Sequence, residues 1–148
     1  VVWNIRRFRP DVIINRFSGT PQDGHGHHQA SALLSKEAFT AAADPKRFPE
    51  QLQWVEPWQP KRLVWNMFGF TPEQEAANQK VQNKVAVDTG LYDPLLGYSY
   101  SEIAGISRSQ HKSQAMGAAE RKGSQMNFFV HLAGEAAAKD LFDGIDLS

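Results

Sequence analysis

Cysteine is absent from the 148 residues, which removes disulfides, thiolate nucleophiles and Cys-ligated zinc or iron–sulfur centres together, and leaves the redox compartment open. Any metal site has to be built from histidine and carboxylate. Charge of one sign is lacking as well: Lys plus Arg number 16 against Asp plus Glu 16, for a formal net charge of zero. That balance gives no electrostatic footprint for nucleic acid or an anionic membrane surface, so neither is expected as a partner. Long apolar runs are missing too; none approaches the roughly 18 residues that a membrane span needs. The opening Val1-Val2-Trp3 has no basic-then-apolar secretion signal, and localisation stays open between cytoplasm and export. What remains is 41% hydrophobic and 22% charged, enough at this length to bury roughly 68–70% of the unfolded surface. With no internal repeat, low-complexity tract or linker, the expectation is one domain over 1–148.

Val1, Val2, Ile5 and Phe8 share a helical face that ends before Pro10. It reads as the tail of a helix already under way, and a longer parent protein is expected. Asp11 to Phe17 is β-branched and apolar, flanked by proline and Ser18-Gly19-Thr20-Pro21, and predicts a buried strand. Gln29 to Ala43 carries Ala, Leu and Phe at three- and four-residue spacing and predicts a helix. Pro45, Pro49, Pro57 and Pro60 break up the next stretch, leaving an irregular segment pinned by aromatics. Further strands are predicted over 62–68, 84–88 and 126–132, with an exposed helical turn or loop over 71–82. Ser99 and Glu102 have capping-box spacing and start a helix running to about Ala119. The end, from Glu135, reads as a short helix or turn. Helix, turn and apolar strand in that order point to an α/β sheet.

The chemistry-bearing cluster is Asp23-Gly24-His25-Gly26-His27-His28, between the end of a strand and the start of a helix, where open α/β sheets bind ligands. Neutral imidazole is a common metal ligand, and a catalytic zinc takes three protein ligands. Helical spacing puts His25 and His28 on one side and separates the neighbours His27 and His28, so at most two of the three are expected to converge. On the late helix, His111 shares a face with Ser107 and Gln114. No glycine elbow surrounds the serine, so a hydrogen-bonded face is favoured over a nucleophile and its base. The tryptophans, Phe68 and Phe70 are sugar-stacking candidates that read mostly as core or loop anchors. The acidic end (Glu135, Asp140, Asp143, Asp146) lacks the order of a calcium loop and reads as a solvated turn.

Arg9-Pro10-Asp11-Val12-Ile13-Ile14, followed by His25-x-x-His28 and later by His111-Lys112-Ser113-Gln114, resembles the LmbE-like (PIG-L) family of zinc-dependent N-acetyl-sugar deacetylases. The family pattern is Pro-Asp-Val-Val on a strand, a glycine-rich loop ending His-Pro-Asp-His, and a late helix with His-x-Ser-Gln or His-x-Thr-Gln. The resemblance implies a Rossmann-like three-layer α/β sandwich with a mainly parallel sheet. It implies Zn2+ as cofactor, with His28 as a ligand and His25 as the group that stabilises the oxyanion or protonates the leaving amine. Asp23 stands where family members can carry an aromatic, and His27 replaces the Asp before the ligand; with His111 these are site-lining candidates. No match to the family's His-Pro-Asp-Asp motif exists in this chain, so the other zinc ligands are expected upstream of Val1 and the N-terminal strands are expected to be missing.

The function implied is the C-terminal part of a deacetylase that hydrolyses the N-acetyl group of an N-acetylglucosamine-type sugar or glycoconjugate, inactive as this chain alone. Asp23 and His27 motivate a rival reading, a carbohydrate-binding or scaffold module on the same fold. A self-contained metal site in which His25 and His28 meet His111 or His131 is a third. The sugar, the acyl group and the oligomeric state are not written in the sequence.

Overall fold

A computed structural model describes residues 1–68, 72–113, 117–146 and 148. Two compact units make up the chain, Val1–Val85 with Phe128–Ser148, and Ala86–Asn127. Among the described residues no helix is long and apolar enough to cross a membrane.

The first unit opens with α1 (Val2–Phe8), which ends at Arg9 in the left-handed conformation, φ 55°, and passes through Pro10 into β1 (Val12–Asn15). α2 (Gly26–Ala41) follows, then the proline-broken segment with a short 3-10 turn over Pro49–Gln53, and β2 (Arg62–Met67). Val2 and Ile5 of α1 pack on Ala38, Ala41 and Ala42, with Ile13 of β1 and Trp58 against them. Small residues on α2 let the two helices approach, and Trp58 closes the cluster by donating its indole N–H to the Pro10 carbonyl at 2.8 Å.

Arg6 holds the irregular segment. Its side chain is buried, and its guanidinium donates to the carbonyls of Ala41, Ala42, Asp44, Arg47 and Phe48 and to Gln51 Oε1. The last carbonyls of a helix have no partner within it, so one fork of donors caps α2 and fixes the loop beyond.

β3 (Lys84–Asp88) and β6 (Met126–Gly134) complete a four-stranded sheet in the order β1-β2-β6-β3. β1 runs parallel to β2, and β2 antiparallel to β6. The sheet is therefore mixed, which corrects the expectation of a mainly parallel one. A parallel pair needs a crossover, and α2 supplies it between β1 and β2; β6 returns in the opposite sense. β1 is also shorter than expected and lies at an edge, with Ile14 half exposed, so it is not a strand buried on both faces.

Gly134 ends β6 where a Cβ would lie 2.1 Å from the Lys61 carbonyl oxygen, at φ 82°, a position only glycine tolerates. Beyond it, the chain from Glu135 forms turns rather than the short helix offered as one alternative. Buried Arg62 donates to the carbonyls of Glu135, Ala136, Leu141 and Asp143. The Asp143 carboxylate accepts the backbone N–H groups of Ala138, Lys139 and Asp140. The acidic end is thus a closed turn with its central carboxylate in use.

α3 (Pro72–Gln79) is a short exposed helix. In the second unit, β4 (Tyr92–Asp93) and β5 (Tyr98–Ser99) form a hairpin that leads into α4 (Tyr100–Ser109). The capping box forms: Ser99 Oγ accepts Glu102 N–H, and the Glu102 carboxylate accepts the Ser99 N–H at 2.9 Å. α4 is half the expected length. Its Gly105 meets Ala119, where a Cβ would lie 2.8 Å from the Ala119 oxygen, and Ser109 Oγ accepts the Ala118 N–H. The chain has turned back along the helix there, so residues 117–119 do not extend it; the expectation over 114–116 lies outside the described residues.

Candidate functional site

The carboxyl ends of the parallel pair β1–β2 face the loop that carries the histidines. β1 delivers the chain to Phe17 and Ser18, and Asp23 folds the next residues into a clamp. One carboxylate oxygen accepts the Ser18 N–H and Oγ–H, the other the Gly19 and Thr20 N–H groups, all at 2.8–3.2 Å. Desolvation pulls this carboxyl upward, but the hydrogen bonds from Ser18, Gly19 and Thr20 together outweigh it and hold it below the usual carboxylate range. Asp23 is thereby spent on loop geometry.

Gly24, at φ 80°, turns the chain, and His25 is the N-cap in extended conformation. α2 therefore starts at Gly26, three residues before the expected Gln29. This brings the three imidazoles together: His25 to His27 at 5.5 Å between ring centroids, His25 to His28 at 5.1 Å, and His27 to His28 at 4.5 Å. The expected separation of His27 from His28 is corrected: although both sit in the first turn of α2, their rings meet at 4.5 Å in an edge-to-face contact. His28 stacks flat on Phe17, 3.9 Å between centroids and 8° between planes. Its Nδ1 lies 3.1 Å from the Asp23 carbonyl oxygen. Only an N–H can bond that oxygen, so the neutral ring keeps its proton on Nδ1 and its lone pair on Nε2, the arrangement that suits a metal ligand.

A complete metal site is a different matter. Among the described residues, no group of three or more His, Asp or Glu is placed to hold a metal ion. Within the cluster, His28 alone has a ring nitrogen fixed by a backbone carbonyl. His111 follows the end of α4, exposed, in the second unit rather than on a continuing helix, and Gln114 of its motif lies outside the described residues. His131 is on β6, with Nε2 at 3.1 Å from the Gly134 carbonyl.

Beside the histidines, Ser18, Gln22, Asp23, Trp65, Phe68, Gln74, Ala77 and Asn78 line a cleft of about 270 Å³. Phe68 meets Phe17 edge-on, 6.4 Å between centroids, and carries the Arg16 guanidinium over its ring, 4.0 Å from the centroid. Burial lowers the Arg16 pKa, yet a guanidinium stays cationic; it also donates to Asn66 Oδ1. By contrast, a groove of about 230 Å³ between α1, α2 and Phe48 is lined by Val1, Val2, Leu34, Ala38 and Ala41, with Glu37 and Arg47 paired to each other at 2.7 Å and Gln51 engaged by Arg6.

Sequence reasoning missed Asn15. Asn15 and Trp65 are register partners on β1 and β2, so their side chains share a face of the sheet. Asn15, 6% exposed, accepts Ser35 Oγ–H through Oδ1, while its Nδ2 has no acceptor; neither has the buried Trp65 Nε1. A buried donor left unpaired costs about 1–3 kcal/mol. The one available signal was polar character, an Asn and an indole N–H, at the ends of two apolar strands. Phe70, the other aromatic candidate beside Phe68, lies outside the described residues. Neither a protein-family model nor a curated protein matches this chain.

Proposed function

We propose that this chain is the C-terminal part of an LmbE-like, zinc-dependent deacetylase that hydrolyses the N-acetyl group of an N-acetylglucosamine-type sugar or glycoconjugate. The observation that carries the reading is His28, stacked on Phe17 and pinned through Nδ1 to the Asp23 carbonyl at the carboxyl end of a parallel strand pair. His28 would hold zinc through Nε2, with the remaining ligands supplied from outside this cluster. Zinc, when bound, supplies Lewis acidity toward the acetyl carbonyl. His25, beside His28, stabilises charge on the carbonyl oxygen or delivers a proton to the departing amine nitrogen. Phe17 keeps the His28 ring in one orientation.

The test is elemental analysis and acetate release from N-acetylglucosamine, on the chain and on the product of its whole reading frame. The expected result is zinc at one per molecule and acetate release in the longer product, both lost in His28→Ala. No zinc in either form sinks the reading.

A second reading, a carbohydrate-binding module without catalysis, is favoured by one observation. The Asp23 carboxylate is fully occupied by Ser18, Gly19 and Thr20, and so is not available as a base. Unchanged sugar affinity in the His25→Ala, His28→Ala double variant, together with no acetate release from the parent, would select it.

A further inference from the structure

The cleft at the carboxyl ends of β1 and β2 is walled by two kinds of group. Trp65 and Phe68 supply aromatic surface; Ser18, Gln22, Gln74 and Asn78 supply hydroxyl and amide groups. The carboxylate at its rim, Asp23, has both oxygens engaged by four hydrogen bonds that hold it ionised, which sets a negative charge against an anionic ligand. Among the described residues no Lys or Arg lines it; Arg16 lies over the Phe68 ring and donates to Asn66 Oδ1. Aromatic faces with neutral donors and acceptors suit a polyhydroxylated ring, and the absence of a lining cation disfavours phosphate or carboxylate groups. A volume near 270 Å³ is just under the roughly 300–1,000 Å³ of sites for larger ligands, which suits one sugar ring.

Trp65 adds a directional element. Its indole N–H is buried without an acceptor, and its register partner Asn15 carries a second orphan donor on the same face. Unpaired buried donors are unfavourable, and the cost is relieved when an acceptor arrives. The N–H is out of solvent's reach as it stands, so an acceptor meets it only after the ring rotates toward the cleft.

We infer that this cleft is the sugar subsite, that it selects an uncharged ring, and that Trp65 is a specificity-determining residue whose N–H turns to a ligand oxygen on binding. The inference rests on the sugar-directed reading above, but on different residues from the zinc chemistry.

The experiment follows the four indole N–H signals of the 15N-labelled chain by NMR during titration with N-acetylglucosamine and, separately, with its 6-phosphate. The Trp65 signal, identified by its loss in Trp65→Phe, is expected to move with the uncharged sugar. Affinity should fall about fivefold to tenfold in Trp65→Phe, which keeps an aromatic ring and removes the donor. Ala77→Trp, on exposed α3, should abolish binding by filling the cleft, and it guards against a folding defect in the first variant. The phosphorylated sugar should bind more weakly than its parent. A Trp65 signal that stays still, equal affinity in both variants, or tighter binding of the phosphate overturns the inference. Acetate release whose KM ignores Trp65→Phe would overturn the cleft and spare the deacetylase reading; sugar binding with no zinc and no hydrolysis would do the reverse.

Discussion

The two ends of the β1–β2 pair differ in how their polar groups are satisfied. At the amino end, Asp11 O accepts the N–H groups of Lys61 and Arg62, and the Arg62 guanidinium donates to four carbonyls of the closing segment. At the carboxyl end, four residues along the same strands, Asn15 and Trp65 carry orphan donors and the loop presents three exposed or half-exposed imidazoles. Saturation marks the scaffold, and the unsatisfied donors mark the end on which the sugar-subsite inference rests. A guanidinium can be fully buried when five donors in a fixed fork find carbonyls at the right spacing; the indole N–H has a single donor and no neighbour aimed at it.

Breaking the saturated end should have the largest effect. Arg62→Met leaves up to four carbonyls without a donor, and the unfolding free energy from urea titration should drop by at least about 3 kcal/mol. A loss below about 1 kcal/mol would mean that water replaces the guanidinium and that the two ends are alike. Trp65→Phe, at the unsatisfied end, removes a donor that bonds nothing. Its unfolding free energy should stay within about 1.5 kcal/mol of the parent, and a fall as large as that of Arg62→Met would erase the contrast.

The smallest effect concerns pH. The Lys139 N–H foremost, with those of Asp140 and Ala138 and the nearby Lys139 charge, outweighs desolvation and holds the Asp143 carboxyl below its ordinary value. A depressed folded pKa contributes stability that is present above the unfolded value, about 3.9, and lost as pH falls through the folded one. Amide exchange at Ala138 and Lys139 should therefore quicken, beyond its intrinsic pH trend, on acidification below about pH 4. Asp143→Asn should lack that component, and an identical pH profile in parent and variant would remove the carboxylate from the account.

Much of the skeleton was legible locally. The β-branched run after Pro10, the Ala/Leu/Phe spacing of α2, the strands β2, β3 and β6, and the Ser99–Glu102 box each express a short-range preference that the fold keeps. Two boundaries were not legible for physical reasons. α4 stops at Ser109 because Gly105 and Ser109 receive the returning chain at Ala118 and Ala119, a contact between residues nine to fourteen positions apart that helical periodicity does not register. α2 starts early because Asp23 and Gly24 set the entry, and the contact between His27 and His28 in its first turn depends on side-chain orientations that residue spacing does not register. The sense of β6 against β2 carries no local mark either, since an apolar strand reads alike in parallel and antiparallel pairing.

By itself, the sequence determined the chemical inventory: no thiol, balanced charge, and a glycine-flanked histidine cluster between a strand and a helix. Those are properties of residue type and near-neighbour spacing, which the chain carries wherever it folds. Only the tertiary structure decided the mixed sheet, the carbonyl cradles of Arg6 and Arg62, the pinning of His28 between Phe17 and the Asp23 carbonyl, and the pairing of Asn15 with Trp65. Apart from the local bond between His28 and Asp23, each of these joins groups brought together by packing rather than by chain adjacency. Their hydrogen-bond partners are mostly backbone carbonyls and amides, which every residue possesses and no sequence distinguishes.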